Sequence, residues 1–185
     1  MRVLAISGSL RAASINSALL RAAARLAPPK MELVLFRDAG KLPLFNPDLE
    51  SQLPAPVVEM QRAVAGADAL LIASPEYAHG VTGTIKNLLD WLVSYEPFVD
   101  KPVAVLNASP RARHADAALR ETLKTMSAVI VEDACVAIPL LGAGLDENAM
   151  IASPEVSGTI ERALAALWRA HASRQSPDGS NFSLS

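Results

Sequence analysis

Residues 2–17 have the sequence Arg-Val-Leu-Ala-Ile-Ser-Gly-Ser-Leu-Arg-Ala-Ala-Ser-Ile-Asn-Ser. The stretch begins with a short, almost continuously apolar run, which predicts a β-strand covered by helices on both faces. A polar loop follows, and apolar residues then recur every three or four positions over 14–27, until Pro28 and Pro29 end the pattern. The stretch therefore predicts a strand, a loop and a helix in immediate succession, the unit from which parallel α/β sheets are built.

The same succession recurs along the rest of the chain. Further strands are predicted by apolar runs at 31–36, 69–74 and 102–108, and a fifth is expected within 128–140, with 135–138 favoured. Helical apolar spacing separates them at 54–65, 82–94, 115–127 and 154–172. Five repeats of strand and helix predict an α/β fold with a doubly wound parallel sheet. We expect one domain over 1–174 and a polar, flexible tail at 175–185.

Composition excludes several classes of protein. The 185 residues are 51% hydrophobic and 19% charged, which suits one folded core, and the net charge of −2 offers no basic excess for nucleic acid. A single cysteine and three separated histidines support neither a disulfide framework nor a metal site. The longest apolar run, 134–145, contains Pro139 and is too short to cross a bilayer. We therefore expect a soluble, cytoplasmic protein that binds neither membrane nor nucleic acid.

The loop after the first strand favours an anion. Residues 7–17 place hydroxyls, Asn16 and Arg11 between a buried strand and the start of a helix, where backbone N–H groups and the helix dipole attract negative charge. Arg11 could add a charge-assisted contact to a phosphate. The loop has neither the Gly-Lys-Ser/Thr of a Walker loop nor the glycine spacing of a dinucleotide turn. The alternative interpretation is a polar cluster in which Ser14 caps the helix.

The loops after the third and fourth strands are also unusual. In 74–91, prolines and glycines near a strand end allow a flat ligand to lie against the backbone, with Tyr77 and His79 closing over it. The alternative is a turn in which Thr82 caps the next helix, and His79 alone has no partner that would mark it as a catalytic acid. In 107–115, two arginines and a histidine could bind a second anion or form a solvated turn.

The residues of these loops resemble the NADPH-dependent FMN reductase family, a branch of the flavodoxin-like flavoproteins that includes quinone, azo-dye and chromate reductases. The resemblance is carried by the first loop, by 75–83 with 86–87 and 90–91, and by 101–103 with Ser109, and it extends over 3–170. It implies a flavodoxin-like sheet of five parallel strands in the order 2-1-3-4-5, with helices on both faces.

The resemblance also implies which residues bind FMN. Its phosphate would lie on the first loop, at Ser9, Arg11, Ser14, Ile15, Asn16 and Ser17. Its isoalloxazine edge and ribityl chain would contact Pro75, Glu76, Tyr77, Ala78, His79 and Gly80, and Ser109 would lie near the pyrimidine side of the ring. The reducing co-substrate, NADPH or NADH, is assigned to Arg111, Arg113 and His114.

Two departures from the family pattern bear on this assignment. Relatives usually carry Asn-Tyr-Ser where this chain has 78–80, Ala-His-Gly, and Pro-Gly where it has Thr82-Gly83. They commonly carry a glycine-rich stretch after the serine equivalent to Ser109, where this chain has 110–113, Pro-Arg-Ala-Arg. We expect these replacements to change flavin affinity, redox potential or the co-substrate pocket.

The activity implied by the resemblance is hydride transfer from NAD(P)H to FMN and then to a small acceptor, such as a quinone, azo compound, metal oxyanion or free flavin. No catalytic side chain is assigned, because the flavin performs the chemistry. The alternatives are an FMN-binding electron carrier and a flavin-free regulatory protein of the same fold. Relatives are generally oligomers, so we expect a homodimer or homotetramer, with aromatic residues near 91–98 as a candidate contact.

Overall fold

Strand β1 lies near the centre of a parallel sheet. The computed structural model of the protein describes residues 1–140 and 142–175. The strands are β1 (Arg2–Ser7), β2 (Glu32–Phe36), β3 (Ala69–Ala73), β4 (Glu76–Tyr77), β5 (Gly80–Val81), β6 (Pro102–Asn107), β7 (Val129–Ile130) and β8 (Val136–Ala137). The sheet has the order β2-β1-β3-β6-β7, with β8 also paired to β6, while β4 and β5 form a separate antiparallel hairpin. The doubly wound parallel sheet predicted from the sequence, and the strand order that the resemblance implies, are confirmed.

The fifth position of the sheet differs from the expected single strand at 135–138. Two short strands share it: β7 pairs with the start of β6, and β8 pairs with its end. A 3-10 turn, Glu132–Ala134, separates them. Between the two pairings the buried backbone N–H of Val105 donates to Cys135 Sγ at 3.3 Å, so a side chain supplies the acceptor that a continuous strand would have provided.

Helices cover both faces of the sheet. Helices α1 (Ile15–Leu26), α5 (Glu147–Ala152) and α6 (Pro154–Gln175) pack on one face, and α2 (Ala55–Ala65), α3 (Gly83–Asp90) and α4 (Arg113–Thr125) pack on the other. Within β1, Val3 and Ala5 belong to the first core and Leu4 and Ile6 to the second. A strand with both faces buried has no polar face, which explains the continuous apolar run in the sequence.

Some predicted boundaries move. Helix α3 ends at Asp90 rather than at 94, and α4 begins at Arg113 rather than at 115. The short helix α5 was not predicted. Of the expected tail, Gln175 closes α6 and residues 176–185 lie outside the described residues.

The aromatic residues suggested as an oligomer contact are partly core residues. Trp91 and Phe98 are only 2% and 1% exposed. Trp91 packs edge-on against Phe45, with ring centroids 5.0 Å apart, and its Nε1 donates to Pro43 O at 2.9 Å. These contacts lie within one chain and do not require a second copy. Within the described part of the chain, the helices are too short or too polar to cross a membrane.

Candidate functional site

A cavity of about 430 Å³ opens at the carboxyl ends of β1, β3 and β6. Ligands of doubly wound sheets bind at this edge, where the strand order reverses direction. The three loops singled out in the sequence form its walls. The predicted site residues that line it are Ser9, Arg11, Ser14, Ile15, Asn16, Pro75, Glu76, Tyr77, Ser109 and Arg111.

Other predicted site residues do not line the cavity: Ser17, Ala78, His79, Gly80, Arg113 and His114. Conversely, sequence reasoning did not assign five residues that do line it: Ala13, Ser74, Asn107, Ala108 and Ala112. All five fall at a strand end or in a loop already singled out. Position relative to the strand ends was therefore the signal that could have identified them.

The first loop is held by hydroxyl hydrogen bonds. Ser14 caps α1, because its Oγ accepts from Ser17 N at 3.3 Å, so the capping interpretation of this residue is correct. Ser17 Oγ lies 2.8 Å from Ser7 Oγ, and Ser7 Oγ also accepts from Ser9 N at 3.2 Å. Ser17 thus lies behind the loop rather than in the cavity wall. Its hydrogen bonds to Ser7 and Ser14 help to fix the backbone on which Ser9 and Ser14 line the cavity.

Asn16 carries an unpartnered polar atom at the cavity wall. The side chain is 4% exposed, and its Oδ1 has no hydrogen-bond partner within the described chain. The neighbouring backbone N–H groups of Ile15 and Asn16, in the first turn of α1, also have no protein acceptor among the described residues. Leaving a buried polar atom without a partner costs about 1–3 kcal/mol. The arrangement therefore suits a ligand that brings both donors and anionic acceptors.

The second loop is a tight hairpin, which sequence reasoning did not predict. Strands β4 and β5 are joined by Ala78 and His79, whose φ angles of 49° and 59° are those of a turn with two left-handed residues. Tyr77 lines the cavity and is 60% exposed. Thr82 accepts from Ile85 N at 3.3 Å and so caps α3, as the alternative interpretation held.

The hairpin is joined to the start of α4 by two contacts. Glu76 Oε2 accepts from Ala115 N at 2.9 Å, which caps α4 with a carboxylate from a distant part of the chain. The rings of His79 and His114 stack, with centroids 4.5 Å apart and an interplanar angle of 17°. Both residues thus serve the contact between the second and third loops.

The third loop is fixed by Asn107. Its Oδ1 accepts from Ser109 N at 2.9 Å, and its Nδ2 donates to Ala112 O at 3.1 Å. Arg111 N donates to Ser109 Oγ at 3.3 Å, and Arg111 is one of the residues that line the cavity. The backbone that carries this arginine is therefore ordered by the end of β6.

The charge at the cavity is predominantly positive. Arg11 and Arg111 line it, and neither forms an ion pair with any carboxylate in residues 1–140 and 142–175. Glu76 is the one carboxylate among its lining residues, and it is engaged by Ala115 N–H. A chain with a net charge of −2 thus concentrates cations at one opening, which favours an anionic ligand.

Several groups with shifted pKa values lie away from the cavity. Burial raises the pKa of Cys135 and lowers the pKa of Lys101. A hydrogen bond from Arg21 lowers the pKa of Glu147. Cys135 contacts β6 at the edge position of the sheet, Lys101 lies at the opposite end of the sheet from the cavity, and Glu147 contacts α1. The titration of these groups is therefore separate from any chemistry in the cavity.

Comparisons with known proteins agree with this geometry. A family model described as NADPH-dependent FMN reductase matches residues 1–141. An NAD(P)H-dependent FMN reductase of Pseudomonas aeruginosa is 45% identical over 112 residues, which are 59% of this chain and 60% of that protein. An NADPH:quinone oxidoreductase of Arabidopsis thaliana is 42% identical over 113 residues, 58% of this chain and 57% of that protein. The chain thus spans about 60% of the length of the curated relatives it matches.

Among solved structures, a flavoenzyme NAD(P)H:(acceptor) oxidoreductase from Paracoccus denitrificans superimposes with a TM-score of 0.72 at 26% identity. That alignment covers 91% of this chain and 97% of that one. An oxidoreductase from Corynebacterium diphtheriae superimposes with a TM-score of 0.63 at 22% identity, covering 95% and 99% of the two chains, and shares the fold.

Proposed function

Because the chain belongs to the NADPH-dependent FMN reductase family, we propose that it is an FMN-dependent NAD(P)H oxidoreductase acting on a small-molecule acceptor. The observation that carries the proposal is a set of groups at the cavity that have no partner among the described residues: Asn16 Oδ1 and the backbone N–H groups of Ile15 and Asn16. These groups suit a ligand that both donates and accepts hydrogen bonds. The phosphate and hydroxyl groups of FMN together meet that requirement.

The residues present fit the cofactor. A cavity of about 430 Å³ falls within the range of small-molecule sites, roughly 300–1,000 Å³. We assign the phosphate to the first loop, at Ser9, Arg11, Ser14 and Ile15, with Asn16 beside it. The ring and ribityl chain are assigned to Pro75, Glu76, Tyr77 and Ser109. Ser17, Ala78 and Gly80 are assigned to supporting these walls rather than to direct contact.

Bound FMN supplies the redox chemistry, the acceptance of a hydride from NAD(P)H and its delivery to an acceptor. The protein contributes binding, orientation and the exclusion of competing reactions. We assign to Tyr77, an exposed residue that lines the cavity, a contact with the bound ring, and the hydrogen-bonded Asn107–Ser109 turn forms another part of the wall. No side-chain acid or base is assigned, in keeping with this division of work.

Quinones are one acceptor class, since relatives carry that name, and azo compounds, metal oxyanions and free flavin suit the same open cavity. We also propose a homodimer or homotetramer in the cytoplasm, where reduced nicotinamide is supplied. Light scattering of the purified protein tests the oligomeric state. A monomer would remove that part of the proposal and leave the activity standing.

The test is to mix purified protein with FMN and then with NADPH or NADH without oxygen. A reductase takes up FMN, turns yellow and bleaches when the nucleotide is added. A persistent yellow colour indicates an electron carrier instead, and a protein that takes up no FMN indicates a flavin-free member of the fold. The near-neutral net charge of −2 disfavours the carrier, because flavodoxin-type carriers are typically strongly acidic on the face that meets their partners.

Arg11→Ala tests the assignment of the phosphate. Arg11 is exposed, so we expect the lower end of the range for a charge-assisted hydrogen bond, about 1.5 kcal/mol, or roughly tenfold weaker FMN binding. Arg62→Ala, at an exposed arginine of α2, is the control. FMN affinity equal in both variants would remove Arg11 from the site.

A further inference from the structure

The first stretch that departs from the family pattern contacts the residue that directly follows the second. His79 belongs to the first, 78–80, and His114 directly follows the second, 110–113. Their rings stack at a centroid separation of 4.5 Å and an angle of 17°. Two unusual segments, far apart in sequence, therefore form one structural feature.

This feature fixes the hairpin against the first turn of α4. The Glu76 carboxylate accepts a hydrogen bond from Ala115 N at 2.9 Å, and the stacked rings of His79 and His114 form a second contact between the hairpin and the helix. His79 has a left-handed backbone, φ 59°, which a non-glycine residue adopts only at an energetic cost. Contacts of its ring with His114 help to offset that cost and hold the hairpin tip in place.

Two arginines lie at the same rim. Arg111 lines the cavity, while Arg113 Nε donates to Pro110 O at 3.3 Å and so keeps its guanidinium beside the same loop. Neither has a carboxylate partner in the described part of the chain. Their backbones are ordered, since Arg113 N donates to Arg111 O at 2.9 Å. The loop thus presents uncompensated positive charge from a fixed position.

We propose that Arg111, with Arg113 beside it on the same loop, forms a subsite for an anionic oxygen group, such as a phosphate or sulfonate, on the second small molecule that enters the cavity. His79 and His114 are positioning residues for it. The proposal rests on the proposed function, because the first loop is then occupied by the FMN phosphate. Arg111 lies on a different loop, after β6, and is left to bind a second anion.

Two molecules could bring that anion: the co-substrate, through the 2′-phosphate that distinguishes NADPH from NADH, or an acidic acceptor. Both present the same chemistry to a guanidinium. The experiment therefore needs one arm for each source. It also needs a binding measurement that does not depend on turnover.

In the binding arm, calorimetry on the FMN-loaded protein compares adenosine 2′,5′-bisphosphate with adenosine 5′-monophosphate. In the turnover arm, the KM of a sulfonated naphthoquinone is compared with that of its uncharged parent. Each comparison is made for wild type, Arg111→Ala, Arg111→Lys and the control Arg62→Ala. We expect wild type and the control to prefer the anionic ligand in at least one arm. Arg111→Ala should reduce that preference about fivefold to tenfold, as for one partly exposed charge-assisted contact.

A preference lost only in the first arm assigns the subsite to the co-substrate, and one lost only in the second assigns it to the acceptor. Arg111→Lys should retain part of the preference, since the charge remains. The proposal is overturned if Arg111→Ala weakens the binding or raises the KM of charged and uncharged ligands equally. It is also overturned if wild type prefers the anionic ligand in neither arm. FMN titration reports separately on the proposed function. If FMN does not bind, the nucleotide comparison is made on the protein alone and decides the subsite by itself.

His79→Asn tests the positioning role. Asparagine tolerates the left-handed backbone but lacks the stacking ring. We expect a higher KM for the anionic ligand, unchanged kcat and unchanged FMN affinity. His79→Phe retains a ring and should restore the KM toward that of wild type. A change in kcat alone, or no difference between Asn and Phe, would contradict this role.

Discussion

Gly8→Ala is expected to destabilise the fold at the point where two walls of the cavity meet. Gly8 directly follows β1, and its N–H donates to Ala73 O, at the end of β3, at 2.8 Å. A Cβ at this position would overlap Ser74 Oγ and lie 2.6 Å from Ser74 Cβ and 2.8 Å from Ile85 Cγ1. Real Cβ atoms do not approach other heavy atoms that closely. The added methyl group therefore forces the first two loops apart.

The size of the effect follows from two opposing contributions. Overpacking a filled site costs typically about 1–3 kcal/mol. Replacing glycine by alanine also restricts the unfolded chain, which stabilises the fold by about 0.4–1 kcal/mol. Because the added Cβ would lie only 2.1 Å from Ser74 Oγ, the overpacking cost falls in the upper part of that range, about 2–3 kcal/mol. The net loss in the free energy of unfolding is then roughly 1–2.6 kcal/mol, or about 2–10 °C in Tm for a chain of this length.

The assay is urea unfolding of a double-mutant cycle with Ser74→Gly, which removes the two nearest overlapping atoms. Ser74→Gly alone loses the hydrogen bond to Thr82 Oγ1 and is itself less stable. Combined with Gly8→Ala, it should cost less than the sum of the single changes by at least about 1 kcal/mol, well outside the 0.3–0.5 kcal/mol of additive pairs. Rescue stays incomplete because Ile85 remains. Additive costs, or a Gly8→Ala effect below about 0.5 kcal/mol, would refute the steric argument.

Three further changes test contacts that hold the site in place. Glu76→Ala removes the cap of α4 and should lower the free energy of unfolding by about 0.5–2 kcal/mol in urea titrations. Glu147 has a pKa lowered by its hydrogen bond from Arg21, so its contribution is present above the ordinary value of 4.5 and is lost as pH falls through the lowered pKa. As the pH falls through that acid range, the free energy of unfolding of Glu147→Gln should therefore decrease less than that of wild type. Cys135→Ala leaves the buried Val105 N–H without its acceptor and should cost about 1–3 kcal/mol in the same urea assay.

Each of these changes has a matched comparison. Glu59→Ala, at an exposed glutamate of α2, should leave stability unchanged. If it destabilises the fold as much as Glu76→Ala does, loss of the helix cap is not the cause of the Glu76→Ala effect. Glu161→Gln, on the exposed surface of α6, should keep the wild-type dependence of stability on acid pH. If its pH dependence equals that of Glu147→Gln, the ion pair between Glu147 and Arg21 is not the cause of the difference. Cys135→Ser retains an acceptor, so a loss as large as that of Cys135→Ala would exclude the hydrogen bond as the reason.

The sheet was predictable because its central strands are buried on both faces. All five residues of β3 are buried, and such runs stand out in a sequence. The fifth position was not predictable in the same way. Whether 128–140 forms one strand or two depends on where β6 has free hydrogen-bonding groups, a property of its neighbour. The Cys135 contact that bridges the gap is a tertiary interaction with no local pattern.

The location of the cavity was predictable from strand ends alone, whereas the contacts between the loops that surround it were not. Glu76 and Ala115 are 39 positions apart, so their hydrogen bond has no local signal in the sequence. The same holds for His79, whose ring reaches His114 because two consecutive residues adopt left-handed angles that glycine or asparagine would ordinarily supply. Propensity reasoning assigns such residues elsewhere and so misses the hairpin.

Net charge and local charge lead to different conclusions about ligands. The net charge of −2 predicts no affinity for polyanionic nucleic acid, which needs a broad basic surface. A small anion needs only two or three cations at one opening. Arg11 and Arg111, which have no ion-pair partner among residues 1–140 and 142–175, meet that condition on two separate loops. Both arginines are exposed, so added salt weakens their attraction for an anion, with a screening length of about 10 Å at 0.1 M salt. Phosphate-bearing ligands should thus bind more weakly as salt rises, while uncharged acceptors are unaffected, and that contrast separates a cationic site from a merely polar one.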